Sequence, residues 1–345
     1  MKVTLSQIAR ETGLSPAVLS RVVSGNGYVS PAMRQRVQLA LEQYGYSRAR
    51  PHTSAGQRMD NVILIIAGAT ANTYHDIIRE FTISARKISK KVLTVHTNYE
   101  SEVEEEYLRF AQQMGFYGVV MLSVVETRSM ARLIRESGIP VVMMGRYTAR
   151  TMTDIVTQDS YEMGTMAANY LTQAGHTRLG YLGGHTQSSI TQDKQNGYMD
   201  QLEYLGVDLP QRWTAYGALD YKSGVAYGKT LLAMDEAPTG LFVSNDLMAM
   251  GVIDELSRAG CRVPQDLSVI CCDKTLASDT YHLPLNRLYI DWGQASKPAL
   301  HLLTMRHDDP ARPRQLVTFD TQYIVGQTIA APRGRLSLAE RDWPD

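Results

Sequence analysis

Apolar and polar positions divide the chain into two kinds of pattern. Over residues 1–46 the apolar positions recur at helical spacing only. Leu5, Ile8 and Ala9 line one helix, and Val18, Leu19, Val22 and Val23 a second. Met33, Val37, Ala40, Leu41 and Tyr44 fit a 3.6-residue period in a third. Gly13 breaks the first helix and supplies a turn. Ser15 and Ser30 stand where caps are expected. Each precedes a proline, Pro16 and Pro31, at a first-turn position where a missing N–H costs nothing.

From residue 59 the pattern changes. Val62 to Ala67 is a continuous apolar run, as expected for a strand buried on both faces. An amphipathic segment runs to about Ser89, then come a strand at Val92 to His96 and a helix at Glu102 to Met114 with three consecutive glutamates on its solvated side. Gly118 to Leu122, a helix to Ser137 and Val141 to Met144 follow. After Asp159 the rhythm restarts with helix Tyr161 to Ala174, strand Leu179 to Leu182 and helix Gln192 to Leu205. Leu241 to Val243, Met248 to Ala259, Leu267 to Cys272 and Leu300 to Met305 continue it. This alternation predicts an α/β fold of two doubly wound parallel-sheet subdomains behind an N-terminal three-helix domain. In such sheets ligands bind beyond the carboxyl ends of the strands, so a cleft between the subdomains is lined by residues that follow each strand.

Charge sharpens the division. Lysines plus arginines equal aspartates plus glutamates at 35 each. Residues 1–58 nevertheless hold eight basic side chains against Glu11 and Glu42, so the remainder carries the opposite excess of six. A basic head on an acidic body points to a polyanionic partner for the head. The hydrophobic fraction of 44% is enough for sizeable cores. The N-terminus shows no apolar signal-peptide run, and no apolar stretch is long enough to span a membrane, so a cytoplasmic protein is expected. Cys261, Cys271 and Cys272 suggest neither a disulfide framework nor a metal site. On a strand, one of the adjacent pair should face the core and the other the cleft. No catalytic pair, phosphate loop or cofactor motif stands out.

Three short helices with a tight first turn describe a helix-turn-helix domain, whose second helix enters the major groove of double-stranded DNA. Pro16 and Ala17 lead that helix and can offer only apolar contact to thymine methyls, whereas Arg21 reaches guanine or phosphate. Ser15, Ser20, Ser24, Asn26 and Arg34 are candidate phosphate contacts. The stretch Thr4-Leu5-Ser6-Gln7-Ile8-Ala9, then Gly13-Leu14-Ser15, then Leu19-Ser20-Arg21-Val22-Val23-Ser24-Gly25-Asn26-Gly27-Tyr28-Val29-Ser30, resembles the head of the LacI/GalR family of bacterial repressors. The likeness continues through Arg34, Val37 and Tyr44-Gly45-Tyr46, and departs at Val18 and Leu19. It implies DNA contacts from Thr4, Tyr28 and Ser30 as well.

The resemblance extends through Ser244-Asn245-Asp246, Met248 to Gly251, Gly260 to Ile270 and Gly175 to Tyr181, and so covers the chain to about Ala331. It implies a helix-turn-helix domain at 1–46, a hinge at 47–58, an effector-binding and dimerisation core at 59–331 and a polar tail at 332–345. Three crossings between subdomains are implied near 158, 288 and 318. A hinge of this family commonly carries a leucine that wedges into the minor groove. Residues 47–58 contain none, and keep only Arg48, Arg50 and Arg58 as phosphate contacts. Position by position, the resemblance implies effector contacts at Tyr74, His75, Asp76, Arg146, Asp159, Lys194, Leu219, Asn245, Asp273 and Trp292, with Asp246 capping the following helix.

Carboxylates and amides on adjacent hydroxyls, with an aromatic face over a ring, suit a carbohydrate; Arg146 and Lys194 add two cations that could take a sugar acid or sugar phosphate, or pair with Asp76, Asp159 or Asp273. The expectation is a ligand-responsive repressor of a carbohydrate-utilisation operon, acting as a homodimer on a pseudo-palindromic operator. A sugar-metabolising enzyme or a plain sugar-binding protein on the same α/β body is the alternative. Turnover with ATP or NAD would mark the first, and a missing DNA response the second.

Overall fold

The computed structural model describes residues 5–24, 29–44, 59–68, 72–122, 127–145, 153–186 and 188–332. The chain divides into two compact units, Met1–Gln57 and Arg58–Asp345.

The first unit holds α1 (Leu5–Thr12), α2 (Pro16–Ser24) and α3 (Pro31–Gln43). Gly13 makes the turn with φ +66°, a left-handed conformation that glycine adopts without strain. Ser30 caps α3, its Oγ accepting from the Met33 N–H at 3.4 Å. The stripe positions Ile8, Ala9, Leu14, Leu19, Val37 and Ala40 close into one small core, with Val18, Val22, Met33, Leu41 and Tyr44 packed against it.

The second unit contains two six-stranded sheets. In chain order its elements begin with β1 (Val62–Ala67), α4 (Asn72–Lys87), β2 (Lys91–His96), α5 (Ser101–Met114), β3 (Gly118–Met121), α6 (Arg128–Glu136), β4 (Val141–Met144) and β5 (Asp154–Gln158). The chain then enters the second sheet through α7 (Ser160–Gln173), β6 (Leu179–Gly183), α8 (Ser189–Tyr204), β7 (Thr214–Tyr216), α9 (Tyr221–Leu232), β8 (Gly240–Val243), α10 (Asp246–Arg258), β9 (Ser268–Cys272), α11 (Leu276–Asp279) and β10 (Asn286–Tyr289). It returns with α12 (Trp292–Asp308) and β11 (Leu316–Phe319) and ends in β12 (Gln322–Ile324). The strand orders are β11-β5-β4-β3-β1-β2 and β12-β10-β9-β8-β6-β7. The chain therefore passes between the sheets after Gln158, after Tyr289 and after Phe319. Every pairing is parallel except that of β12 with β10.

Four differences from the sequence expectation have physical causes. Glu104 is not on the solvated side of α5. It is fully buried and accepts from the Thr97 hydroxyl, so of the three glutamates only Glu106 is exposed. The last long helix starts at Trp292 and runs through Pro298, because burial of Ala295, Ala299, Leu302 and Leu303 outweighs the hydrogen bond proline removes. Helix α9 carries Gly224 and Gly228, which weaken its pattern. Gly224 is needed because a Cβ there would lie 2.0 Å from the Met248 carbonyl oxygen of α10. Cys271 and Cys272 do point to opposite faces of β9, but both are fully buried, one in each flanking core, and neither opens to the cleft.

Candidate functional site

The carboxyl ends of both sheets face each other across a cavity of about 320 Å³. From the first sheet come Tyr74 on α4, Leu122 after β3, Gly145 after β4 and Gln158 at the end of β5; Trp292 lies at the start of α12. From the second come Thr191 and Lys194 on α8, Leu219 and Asp220 after β7, Ser244 and Asn245 after β8, and Asp273 after β9.

The second-sheet wall is held by close helix packing. A Cβ on Gly164 of α7 would lie 2.1 Å from the Lys194 carbonyl oxygen, and one on Gly197 of α8 would lie 2.0 Å from that of Tyr161. The two backbones touch, and this seats Lys194 inside the wall, where it is 4% exposed. Its Nζ donates to the Ser244 carbonyl oxygen at 3.1 Å. Burial opposes its charge, yet Cys272 and Asp273 beside it hold its pKa above the ordinary lysine value. Burial pushes the Asp273 carboxyl up to about 6, although Lys194 resists the shift. Among the described residues no donor reaches the Asp273 carboxylate, and no ion pair closes between it and Lys194. Asp273 (φ +74°) and Leu219 (φ +61°) are both left-handed, a strained conformation that a non-glycine residue keeps only where its surroundings impose it.

Asn245 rather than Asp246 caps α10. Its Oδ1 accepts from the Met248 N–H at 3.0 Å and its Nδ2 donates to the Leu219 carbonyl oxygen at 2.8 Å. One amide thus starts a helix and pins the strained loop opposite. Asp246, the first residue of α10, is buried and accepts from the Thr275 N–H and hydroxyl at 2.9 and 2.7 Å. Asn245 thus takes the cap while keeping its expected place in the cavity wall, because both residues are good caps and only the backbone decides between them.

Six of the ten expected effector positions line the cavity: Tyr74, Lys194, Leu219, Asn245, Asp273 and Trp292. Three do not. His75 is exposed on α4, Asp76 lies 3.7 Å from Arg79 on the same helix, and exposed Asp159 caps α7 by accepting from the Glu162 N–H at 2.8 Å. Arg146 lies outside the described residues. Sequence reading missed Gln158, Thr191 and Ser244. The strand-end rule points to the neighbourhood of Gln158, whereas the resemblance implied the adjacent Asp159.

In the separate N-terminal unit, Ser15, Pro16, Ala17, Ser20 and Arg21 are exposed on or beside α2, opposite buried Leu19. Arg34 is exposed on α3. Thr4, Asn26, Tyr28, Arg48, Arg50, the side chain of Ser24, the hinge segment up to Arg58 and all but the first residue of the tail lie outside the described residues. Among the described residues no group of His, Cys, Asp and Glu side chains is placed to hold a metal ion, and no helix is long and apolar enough to cross a membrane.

Comparison with known proteins agrees with both units. The family profile of bacterial regulatory proteins, lacI family, matches residues 4–49, and that of the periplasmic binding protein-like domain matches residues 168–329. The HTH-type transcriptional repressor PurR of Photobacterium profundum is 23% identical over 328 residues, 94% of this chain and 98% of the relative. That of Actinobacillus pleuropneumoniae is 25% identical over 329 residues, with the same coverage of 94% and 98%. Among solved structures, the transcriptional regulator CelR in complex with cellobiose superposes with a TM-score of 0.71 at 23% identity, covering 94% of this chain and 99% of that one. The lac repressor dimer bound to operator and the anti-inducer ONPF gives 0.73 at 18% identity, covering 96% and 100%. A LacI family regulator from Enterococcus faecium with bound ribose gives 0.70 at 19% identity, covering 78% and 99%.

Proposed function

We propose, for a chain that belongs to the LacI family and is therefore a ligand-responsive DNA-binding regulator rather than an enzyme, that its cavity takes an uncharged carbohydrate. The observation that carries this reading is the gap between Lys194 and Asp273. A buried ammonium and a carboxylate with no hydrogen-bond donor face one space without closing on each other. A ligand hydroxyl there donates to the carboxylate and accepts from the ammonium, satisfying both. Trp292 and Tyr74 on the opposite side supply ring faces for the ligand's C–H surface. Charge argues against an anion. Among the described lining residues one lysine stands against Asp220 and Asp273.

In this reading the exposed leading face of α2, with Pro16, Ala17 and Arg21, enters the major groove, and Ser15, Ser20 and Arg34 contact phosphates. The protein works in the cytoplasm as a homodimer on a pseudo-palindromic operator, and represses a carbohydrate-utilisation operon. The sugar changes operator affinity by binding the two arrangements of the subdomains unequally. Bound-sugar neighbours support the ligand class: cellobiose in CelR and ribose in the Enterococcus faecium regulator.

Fluorescence anisotropy on the DNA upstream of its own gene, with a scrambled duplex at the same salt, tests this reading. Tight binding to the native duplex alone is expected, shifted by one neutral sugar and not by its acid or phosphate. Equal weak binding to both duplexes under all conditions would overturn operator recognition, and a response only to anionic sugars would overturn the ligand assignment.

A further inference from the structure

Gln158 belongs to the cavity and to a crossing between subdomains at once. It is the last residue of β5, 6% exposed, and the chain leaves the first sheet directly after it. Its backbone pairs with Phe319 of β11, the strand from which the chain makes its third crossing, so two of the three crossing strands lie side by side at this residue. Across the first crossing its Nε2 donates to the Ser160 hydroxyl at 3.0 Å, on the first residue of α7. Next to it the Thr157 hydroxyl donates to the Gly145 carbonyl oxygen at 2.6 Å, so the end of β5 is fixed to the end of β4. The amide is therefore oriented by one hydrogen bond and held by a rigid strand end. Its Oε1 receives no donor among the described residues, although the side chain lines the cavity. An acceptor that opens on the cavity without a protein donor is available to a ligand hydroxyl, and the bond from Nε2 to Ser160 fixes the direction from which that hydroxyl is taken.

We infer that Gln158 is a specificity-determining residue: its Oε1 accepts from one hydroxyl of the bound sugar, opposite the Lys194 and Asp273 wall. This deepens the carbohydrate reading and rests on it. The bound sugar then joins the second-sheet wall to the crossing strand itself. Removing that hydroxyl, or the amide, removes the same contact.

The test is a cycle of protein and ligand changes, run by calorimetry with cellobiose, ribose and their singly deoxygenated analogues. Gln158→Met keeps length and apolar packing and loses the acceptor. It is expected to bind the best sugar about tenfold more weakly than the wild type, one hydrogen bond's worth. One deoxy analogue should lose the same factor on the wild type and nothing further on Gln158→Met. Equal sugar affinity in variant and wild type, or the same deoxy penalties in both, overturns the inference while leaving the carbohydrate reading intact. A wild type that binds none of these sugars overturns both. If Gln158→Met fails to fold, a crystal structure of the wild type with its best sugar decides. A sugar oxygen within about 3.2 Å of Oε1 is expected, and one beyond hydrogen-bond reach overturns the inference.

Discussion

The two sheets of the second unit share a strand order but partner two of their carboxylates, Asp154 and Asp273, in opposite ways. In the first sheet Asp154, fully buried, stands at the start of β5 and away from the cavity. Arg306 reaches it with Nε and a terminal nitrogen at 3.0 and 3.1 Å, Arg312 at 3.0 Å, and the Gln315 N–H at 2.8 Å. In the second sheet Asp273, half-buried, follows β9 and lines the cavity together with buried Lys194 of α8. Asp154 has every hydrogen-bonding site occupied by protein, whereas Asp273 has its carboxylate left open. The difference separates two uses of a buried charge. A fully paired one joins α12, β5 and the segment before β11. An underpaired one keeps its demand for a partner and offers it to a ligand.

Removing the charges should break the two sites unequally. Asp154→Ala leaves two arginines buried without a counter-charge, and is expected to cost about 3–5 kcal/mol in denaturant unfolding. Asp273→Asn is expected to leave ligand-free stability unchanged or raised at neutral pH, since it removes an unpaired buried charge, and to abolish the sugar response. A wild-type unfolding curve for Asp154→Ala would show that its pairing is not structural, and the contrast would fall.

The walls also differ in how tightly their helices approach. Gly164 and Gly197 bring α7 and α8 into backbone contact behind Lys194. In the first sheet, Gly138 has φ +67° and open space where a Cβ would be. Gly164→Val is expected to destabilise by about 3 kcal/mol through overpacking against backbone that cannot move aside. Gly138→Ala should cost about 1 kcal/mol, from its left-handed backbone alone. Similar costs in thermal melts would mean the α7–α8 contact yields, and that Lys194 is not rigidly seated.

What was legible in the sequence follows the same division. Strands buried on both faces, such as Val62–Ala67 and Val141–Met144, are continuous apolar runs that no charge interrupts. Strand β10 is not legible because it carries Asn286 and Arg287, both buried: Asn286 bonds Thr328 and Tyr323, and the terminal nitrogens of Arg287 bond Ser278 and Asp279. Pattern reading treats such residues as solvated. The resemblance led to Lys194, Asp273 and Trp292, which the fold gathers around one cavity. The strand-end rule could not separate Gln158 from Asp159, since one turns inward and the other caps a helix, and one residue of backbone decides. Cys271 and Cys272 alternate as expected, but neither faces the cleft, because α7 and α10 cover both faces of β9, which the strand's own residues do not encode.

The smallest expected effect concerns the open carboxylate itself. Burial raises the Asp273 pKa from 3.8 to about 6, with Lys194 opposing the shift. A carboxyl whose folded pKa lies above its unfolded value binds more protons folded than unfolded between the two values. Its contribution to stability therefore falls as pH rises from about 4 to about 6 and is constant above. Ligand binding should run the other way, because a sugar hydroxyl donates to the ionised form. At pH 5, one unit below the midpoint, about a tenth of the carboxyl is ionised, so sugar affinity should be about tenfold weaker than at pH 7.5. Asp254 provides the control. It accepts from the Tyr221 and Tyr281 hydroxyls, far along α10 from the cavity. Its replacement by Asn should leave the midpoint of the binding profile in place. Lys194→Met, by contrast, removes the cation that favours ionisation of Asp273 and should move that midpoint upward. Calorimetric titrations from pH 5 to pH 8 read both effects. A flat profile in the wild type would mean that the sugar does not engage the Asp273 carboxylate, and the second-sheet wall would lose its claim to be the recognising half.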